Sequence, residues 1–164
     1  MNAAAIVYTS QTGFTARYAA LLAERTGLPC RPLKEAAALP RGTAVIYLGW
    51  LCAGGIKGLK GARRRFRTAA VCAVGMSPVD NLSAVEAGLS GAPLFYLRGG
   101  YDGSRLTGPY KLVMDLLGKA MEKRLEEDPE DGTARAMTEA IRHGADWVSR
   151  EQLRPVLTAW EGRA

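Results

Sequence analysis

The chain has 164 residues, of which 48% are hydrophobic and 23% are charged, and its formal net charge is +6. This composition excludes an intrinsically disordered chain, and the length fits a single domain covering residues 1–164. Three cysteines without a CxxC pair indicate neither a disulfide framework nor a zinc or redox site of that type, and no membrane span or signal peptide is expected. We therefore expect a protein of the reducing cytoplasm.

The first half of the chain predicts a strand, an amphipathic helix and a series of shorter elements. Apolar residues at 3–8 are typical of a strand that is buried on both faces. Phe14, Tyr18 and Leu22 then share one side of a helix. Gly27 is suited to end this helix. The elements expected next are an edge strand at 28–33, at most a brief helix at 34–39, a strand at 44–48, a glycine-rich turn at 49–58, a basic helix at 59–67 and a strand at 69–74.

The second half is richer in helices. The remaining elements are a helix at 81–89, a strand at 93–97, a long helix from Leu106 or Pro109 to about 125 and, after an acidic break at 126–132, a C-terminal helical extension at about 133–160. This extension is expected to hold a helix from about Thr133 through Val148, and its tail at 149–160 could be one more helix. The long helix has a second apolar stripe that contains Leu112 and Leu116. We expect it to pack on the sheet, with burial in a homodimer as the alternative.

Strands and helices alternate along the chain, which predicts an α/β fold with an open parallel sheet of five strands and helices on both faces. In such a sheet, ligands bind at the carboxyl ends of the strands, where the strand order reverses. The turns that follow the strands are therefore the candidate site.

The turn after the first strand reads Thr9-Ser10-Gln11-Thr12-Gly13-Phe14-Thr15 and carries hydroxyl groups at four of its seven positions. Backbone N–H groups at a helix N-terminus lack intrahelical partners and favour an anion, and the hydroxyls could add further donors. Because the turn contains no lysine or arginine, it would hold a phosphate by neutral donors and the helix dipole alone. The same residues also suit a simple helix cap. Neither a GxGxxG motif nor a P-loop is present.

This turn resembles the phosphate loop of flavodoxins, a T/S-x-T-G-x-T pattern that holds the phosphate of flavin mononucleotide (FMN). The resemblance implies a three-layer flavodoxin-like fold with strand order 2-1-3-4-5 and FMN as cofactor. Flavodoxins often have Asn after the glycine, where this chain has Phe14. The residues that the resemblance assigns to the cofactor are Thr9, Ser10, Gln11, Thr12, Gly13, Phe14, Thr15, Trp50, Leu51, Cys52, Ala53, Gly54, Gly75, Met76 and Ser77.

Two later loops embrace the isoalloxazine ring in this family, and they correspond to residues 49–56 and 75–78. Trp50 is suited to stack on a flat ring, and the glycines permit close approach of the backbone. Cys52 could be a redox thiol, but a small apolar packing role is the expectation.

The second half of the chain is similar to the flavodoxin-type protoporphyrinogen oxidases. The similarity rests on Phe95-Tyr96-Leu97-Arg98-Gly99-Gly100-Tyr101, on the long helix with Met114 and Met121, and on Asp146-Trp147. Those enzymes use FMN to pass electrons from a porphyrinogen to a quinone. The resemblance implies an FMN-binding protein that acts in electron transfer or as an FMN-dependent oxidoreductase, with a redox protein, a quinone or a small molecule as its partner. No catalytic residue is identified.

Two other interpretations of the chain remain open. A flavodoxin-fold protein that has no cofactor and serves as a binding or regulatory module is the alternative function. The basic segment 57–67 is typical of a solvated face, with contact to an acidic partner or a peripheral contact with anionic lipid as the alternative. Nucleic-acid binding is not expected, because no recognition motif accompanies the charge. His143 has no second ligand at metal spacing, so no metal site is expected.

Overall fold

The computed structural model describes residues 2–78, 82 and 91–162. The strands are β1 (Ala5–Thr9), β2 (Cys30–Pro32), β3 (Ala44–Cys52), β4 (Gly55–Ile56), β5 (Arg67–Gly75), β6 (Leu94–Arg98), β7 (Gly100–Tyr101) and β8 (Ala145–Asp146). The helices are α1 (Phe14–Thr26), α2 (Leu59–Arg63), α3 (Pro109–Glu127), α4 (Gly132–His143) and α5 (Arg154–Glu161), with short 3₁₀ turns at Leu33–Ala38, Gly103–Arg105 and Glu151–Leu153. The helix expected at 81–89 lies outside the described residues, apart from Leu82, which is buried.

The central sheet runs in the order β2-β1-β3-β5-β6, and each of these neighbours is parallel. A short sixth strand, β4, pairs with the end of β3 in an antiparallel hairpin. The predicted α/β class with a mostly parallel sheet is therefore confirmed. The predicted five-stranded sheet of order 2-1-3-4-5 differs from this sheet because it has no counterpart of β4.

The hairpin also corrects the glycine-rich turn expected at 49–58. β3 continues through Trp50 and Leu51, which favour extended backbone, and reverses at Ala53 and Gly54. Both turn residues have positive φ angles, 49° and 74°, as in the tight turns that join antiparallel strands. Three of the predicted site residues, at 50–52, consequently lie on a strand and not in a loop.

Apolar side chains cover the sheet on both faces. On one face, Tyr18 and Leu22 of α1 and Val156 of α5 pack against a buried set that includes Ile46 and Leu97. On the other face, the buried set combines α2, the 3₁₀ turn Leu33–Ala38 and Phe66 with the opposite side chains of β1, β3 and β5. Helical segments thus lie on both sides of one sheet.

Two helices end differently from the expectation. The basic helix expected at 59–67 stops at Arg63, because Phe66 turns into the core and Arg67 already pairs with β3. The helix expected from about Thr133 through Val148 ends at His143, because Gly144 has a φ of +79° and the next two residues form β8. α5 is the further helix that the tail at 149–160 allowed. α5 then belongs to the core through Leu153 before it and Val156 within it.

The long helix α3 does not pack on the sheet through its second apolar stripe. Leu112 and Leu116 are 62% and 58% exposed, and Met121 is its buried residue. α3 pairs instead with α4, where Gly118 lies against Ile141. No helix among the described residues combines the length and the apolar character that a membrane crossing needs.

Candidate functional site

The first loop (residues 9–15) joins the carboxyl end of β1 to α1. Gly13 caps α1 with a φ of +101°, which suits glycine, and its N–H donates to Ser10 Oγ at 3.2 Å. The N–H of Arg17 makes the first intrahelical bond, to the Gly13 carbonyl at 3.0 Å. The amides between these residues therefore have no acceptor within the helix. No acidic side chain lies in this first turn, so its dipole is open to an anion.

The base of the first loop is fixed by a buried tyrosine. The Tyr47 hydroxyl lies 2.6 Å from the Lys57 carbonyl oxygen and 2.7 Å from Thr9 Oγ1. Since a phenol has one proton and the carbonyl can only accept, Tyr47 donates to Lys57 and the Thr9 hydroxyl donates to Tyr47. Burial raises the pKa of Tyr47 to about 12, which keeps this proton in place. The Thr9 hydroxyl thus donates its hydrogen bond within the protein, and this bond supports the loop.

A cavity of about 170 Å³ opens beside the first loop at the carboxyl ends of β3 and β5. Ten of the fifteen predicted site residues line it: Gln11, Thr12, Phe14, Thr15, Trp50, Leu51, Cys52, Ala53, Gly75 and Met76. The structure thus brings together the first loop and the two later segments that the sequence assigned to one site.

The other five predicted residues lie elsewhere. Thr9, Ser10 and Gly13 line a separate open groove together with Lys34 and Glu35. Gly54 is exposed at the tip of the hairpin. Ser77 follows the cavity residue Met76, and its carbonyl accepts a hydrogen bond from Tyr96 at 2.7 Å.

Sequence reasoning missed the wall that α3 and the segment before it contribute. Five apolar side chains from this region line the cavity: Leu106, Tyr110, Val113, Met114 and Leu117. Three residues at strand ends also line it: Val74, Gly100 and Tyr101. One feature of the sequence could have indicated this wall. The long helix after the last predicted strand has apolar residues on two sides, which is more apolar surface than a helix needs to pack on one neighbouring element.

Trp50 lies between the sheet and α3. Its backbone is opposite Val74 in the β3–β5 pairing, and its carbonyl accepts from the Lys57 N–H at 3.0 Å. Its ring meets the Tyr110 ring edge to face, with centroids 5.0 Å apart and planes at 79°. The Lys57 ammonium lies 5.8 Å from the Trp50 ring and 5.3 Å from the Tyr110 ring. These contacts fix one side of the cavity with two aromatic rings and one cation.

Phe14 fills space that two glycines leave open. A Cβ on Gly100 would lie 2.5 Å from the Phe14 ring, and one on Gly99 would lie 3.3 Å from the Phe14 Cβ atom. The ring is therefore seated against the backbone of β7 while it also lines the cavity. This packing gives a structural reason for phenylalanine after Gly13.

A cation reaches the first loop from a distant part of the chain. The Arg105 Nη1 atom donates to the Thr12 carbonyl at 3.2 Å, although the two residues are 93 positions apart. Its Nε atom pairs with Asp102 Oδ2 at 3.0 Å. Asp102 also accepts from the N–H and the hydroxyl of Ser104, and the hydroxyl bond is the main reason that the pKa of Asp102 is lowered. The loop itself contains no lysine or arginine, as the sequence indicated, but a guanidinium from elsewhere in the chain lies beside it.

Of Cys52, Cys72 and His143, only Cys52 lies at the cavity. Cys52 lines it and is half-buried, whereas Cys72 of β5 is buried in the core on one face of the sheet, where burial raises the pKa of its thiol to about 12. His143 is exposed at the end of α4. The described segments contain no group of three or more His, Cys, Asp or Glu side chains that could hold a metal ion.

Comparisons with protein-family models and with curated proteins found no match for this chain.

Proposed function

We propose that this protein is a flavodoxin-like FMN-binding protein that acts in electron transfer or as an FMN-dependent oxidoreductase. The observation that carries the proposal is the meeting of a hydroxyl-rich loop and an aromatic-lined apolar cavity at the carboxyl edge of one parallel sheet. Thr12 and Thr15 of the loop line the same cavity as Trp50 and Gly75. The order of the parallel strands, β2-β1-β3-β5-β6, supports the three-layer flavodoxin-like fold.

The residues at the site fit the two ends of FMN. The phosphate end would be held by the Thr12 hydroxyl and by the amides of the first turn of α1, which have no intrahelical acceptor. The ring end would lie among Trp50, Met76 and Tyr101, which offer flat or polarisable apolar surfaces. Trp50 is half-buried and lines the cavity, so part of its ring surface borders the open space.

When bound, FMN would supply the redox chemistry, and the chain would bind it, orient it and limit water access. The apolar side chains of α3 form the wall that would exclude water from the ring. This apolar wall favours a small apolar electron acceptor or donor, such as a quinone, over a protein partner. Assays with a soluble quinone and with a protein acceptor would distinguish these partners, and transfer to the protein alone would contradict the preference.

The proposal is tested by cofactor content and affinity. We expect the purified protein to absorb visible light as flavoproteins do, or the colourless protein to bind FMN at micromolar concentration with quenching of flavin fluorescence. Thr12→Glu places a carboxylate against the phosphate and should weaken FMN binding by at least tenfold. Thr158→Glu, at an exposed position on α5, is the matched control and should bind normally. A protein that ignores FMN at high micromolar concentration would refute the assignment.

Two observations favour the alternative, a flavodoxin-fold module without cofactor. The cavity of about 170 Å³ is smaller than the roughly 300–1,000 Å³ of most ligand pockets. The Tyr110 ring lies 5.0 Å from the Trp50 ring with the two planes at 79°, so α3 would have to move before a flat ring could take the place of Tyr110 beside the indole. A protein that keeps its fold and never takes up FMN would support this alternative.

A further inference from the structure

The Arg105 side chain is 65% exposed and lies beside the first loop, where two contacts orient it. It ends the 3₁₀ turn Gly103–Arg105, which Asp102 caps through its bonds to Ser104. The same carboxylate pairs with the Arg105 Nε atom, so one acidic residue both shapes the turn and orients the guanidinium. The Nη1 atom then reaches the Thr12 carbonyl. Nη2 has no acceptor among the described residues.

The charge of Arg105 lies where the backbone alone is already positive. The N-terminus of α1 carries the positive end of the helix dipole, and its first turn contains no acidic side chain. A guanidinium at this end of a helix is unfavourable by itself. The Asp102 carboxylate offsets part of this charge, but it contacts the Nε atom of Arg105 and not the Nη1 atom that reaches the loop. The arrangement becomes favourable when an anion with several charged oxygens lies at the loop.

We propose that Arg105 is the phosphate-specific residue of the site and selects FMN over riboflavin, which lacks the phosphate. This inference rests on the proposed function. Arg105 would donate from Nη2 to a phosphate oxygen while Nη1 keeps its bond to the Thr12 carbonyl. Riboflavin would use only the apolar part of the cavity and would be indifferent to Arg105.

Affinities for FMN and riboflavin, measured side by side by fluorescence quenching, test this role. Arg105→Gln should weaken FMN binding by about tenfold and leave riboflavin within about twofold, as expected for loss of a charge-assisted bond to phosphate. Arg105→Lys keeps the charge without the planar fork and should give an intermediate preference for FMN. Arg142→Gln is the matched control, because Arg142 borders the same open groove as Arg105, pairs with Glu122 and does not touch the loop. Thermal unfolding of each variant checks that it folds.

The outcomes separate this inference from the proposed function. Equal losses of affinity for FMN and riboflavin in Arg105→Gln, or no loss for either, would overturn the role of Arg105. Neither result would contradict the proposal that the wild-type protein binds FMN. An FMN loss as large in Arg142→Gln as in Arg105→Gln would overturn it as well, because general surface charge would then be responsible. A wild-type protein that binds neither flavin would refute both.

Discussion

Replacing Tyr47 by phenylalanine would remove the hydroxyl that anchors the first loop and would leave the buried ring in place. The change deprives the Lys57 carbonyl of its donor and the Thr9 hydroxyl of its acceptor. Each buried polar group left unsatisfied costs about 1–3 kcal/mol. Thr9 is only half-buried and can turn its hydroxyl to water, so we expect the free energy of unfolding to fall by about 2–4 kcal/mol. For a chain of this size, the corresponding decrease in Tm is roughly 5–15 °C.

Urea unfolding followed by circular dichroism measures this loss, and an unchanged m-value would show that the compactness of both states is preserved. Tyr8→Phe is the matched control, because Tyr8 is half-buried and directly precedes the same loop; we expect it to cost less than about 1 kcal/mol. A double-mutant cycle with Thr9→Val would isolate the coupling between the two hydroxyls. A Tyr47→Phe variant as stable as Tyr8→Phe would refute the anchoring role.

Two further predictions concern backbone geometry and pH. Gly58 has a φ of +80°, and a Cβ there would overlap the Tyr47 and Thr9 hydroxyl oxygens. Gly42 also has a φ of +80°, but a Cβ there would meet nothing within 4 Å. Gly58→Ala should therefore lower the free energy of unfolding at least twice as much as Gly42→Ala does. The Gly42 cost is about 1 kcal/mol, and equal melting temperatures for the two variants would contradict the overlap. Burial raises the pKa of Cys72 from 9.0 to about 12, so the unfolded thiol loses its proton first. The stability that this thiol contributes is therefore complete below about pH 9 and is lost as the pH rises towards 12, and Cys72→Ala should flatten the decline measured by urea unfolding above pH 9.

Local patterns in the sequence were sufficient for most of the sheet and for α1. The apolar run at 44–48 predicted β3, which begins at Ala44, because a strand buried on both faces needs an uninterrupted apolar stretch. The helix expected from Phe14 spans Phe14–Thr26, and Gly27 closes it at a φ of +71°. Periodicity and caps depend on neighbours in sequence, so they can be identified without the fold.

Long-range contacts could not be predicted in this way. The contact between Arg105 and the Thr12 carbonyl depends on how β7 and the following turn lie beside the first loop. In addition, Ala53 adopts a positive φ, which is uncommon for a residue other than glycine, asparagine or aspartate, so the hairpin that carries Cys52 was expected as part of a glycine-rich turn. The Arg105 contact depends on tertiary structure, whereas the hairpin is local, since it pairs Leu51 with Ile56 and Cys52 with Gly55, and was missed because alanine rarely adopts a positive φ.

The role of α3 follows from what its side chains have left to contact. The sheet faces are already covered by α1, α2 and α5, so a further helix after the last strand can cover only an edge or an end. α3 covers the carboxyl end through Tyr110 and Met114 and leaves Leu112 exposed on its outer side. Because the same helix both closes the cavity and limits its volume, removing the Tyr110 ring tests whether it obstructs the proposed flavin site. Tyr110→Ala should strengthen FMN binding, measured by quenching of flavin fluorescence, because it removes the ring that lies against the indole. Weaker binding than wild type would show that Tyr110 is part of the binding wall, and no FMN binding by either protein would favour the module without cofactor.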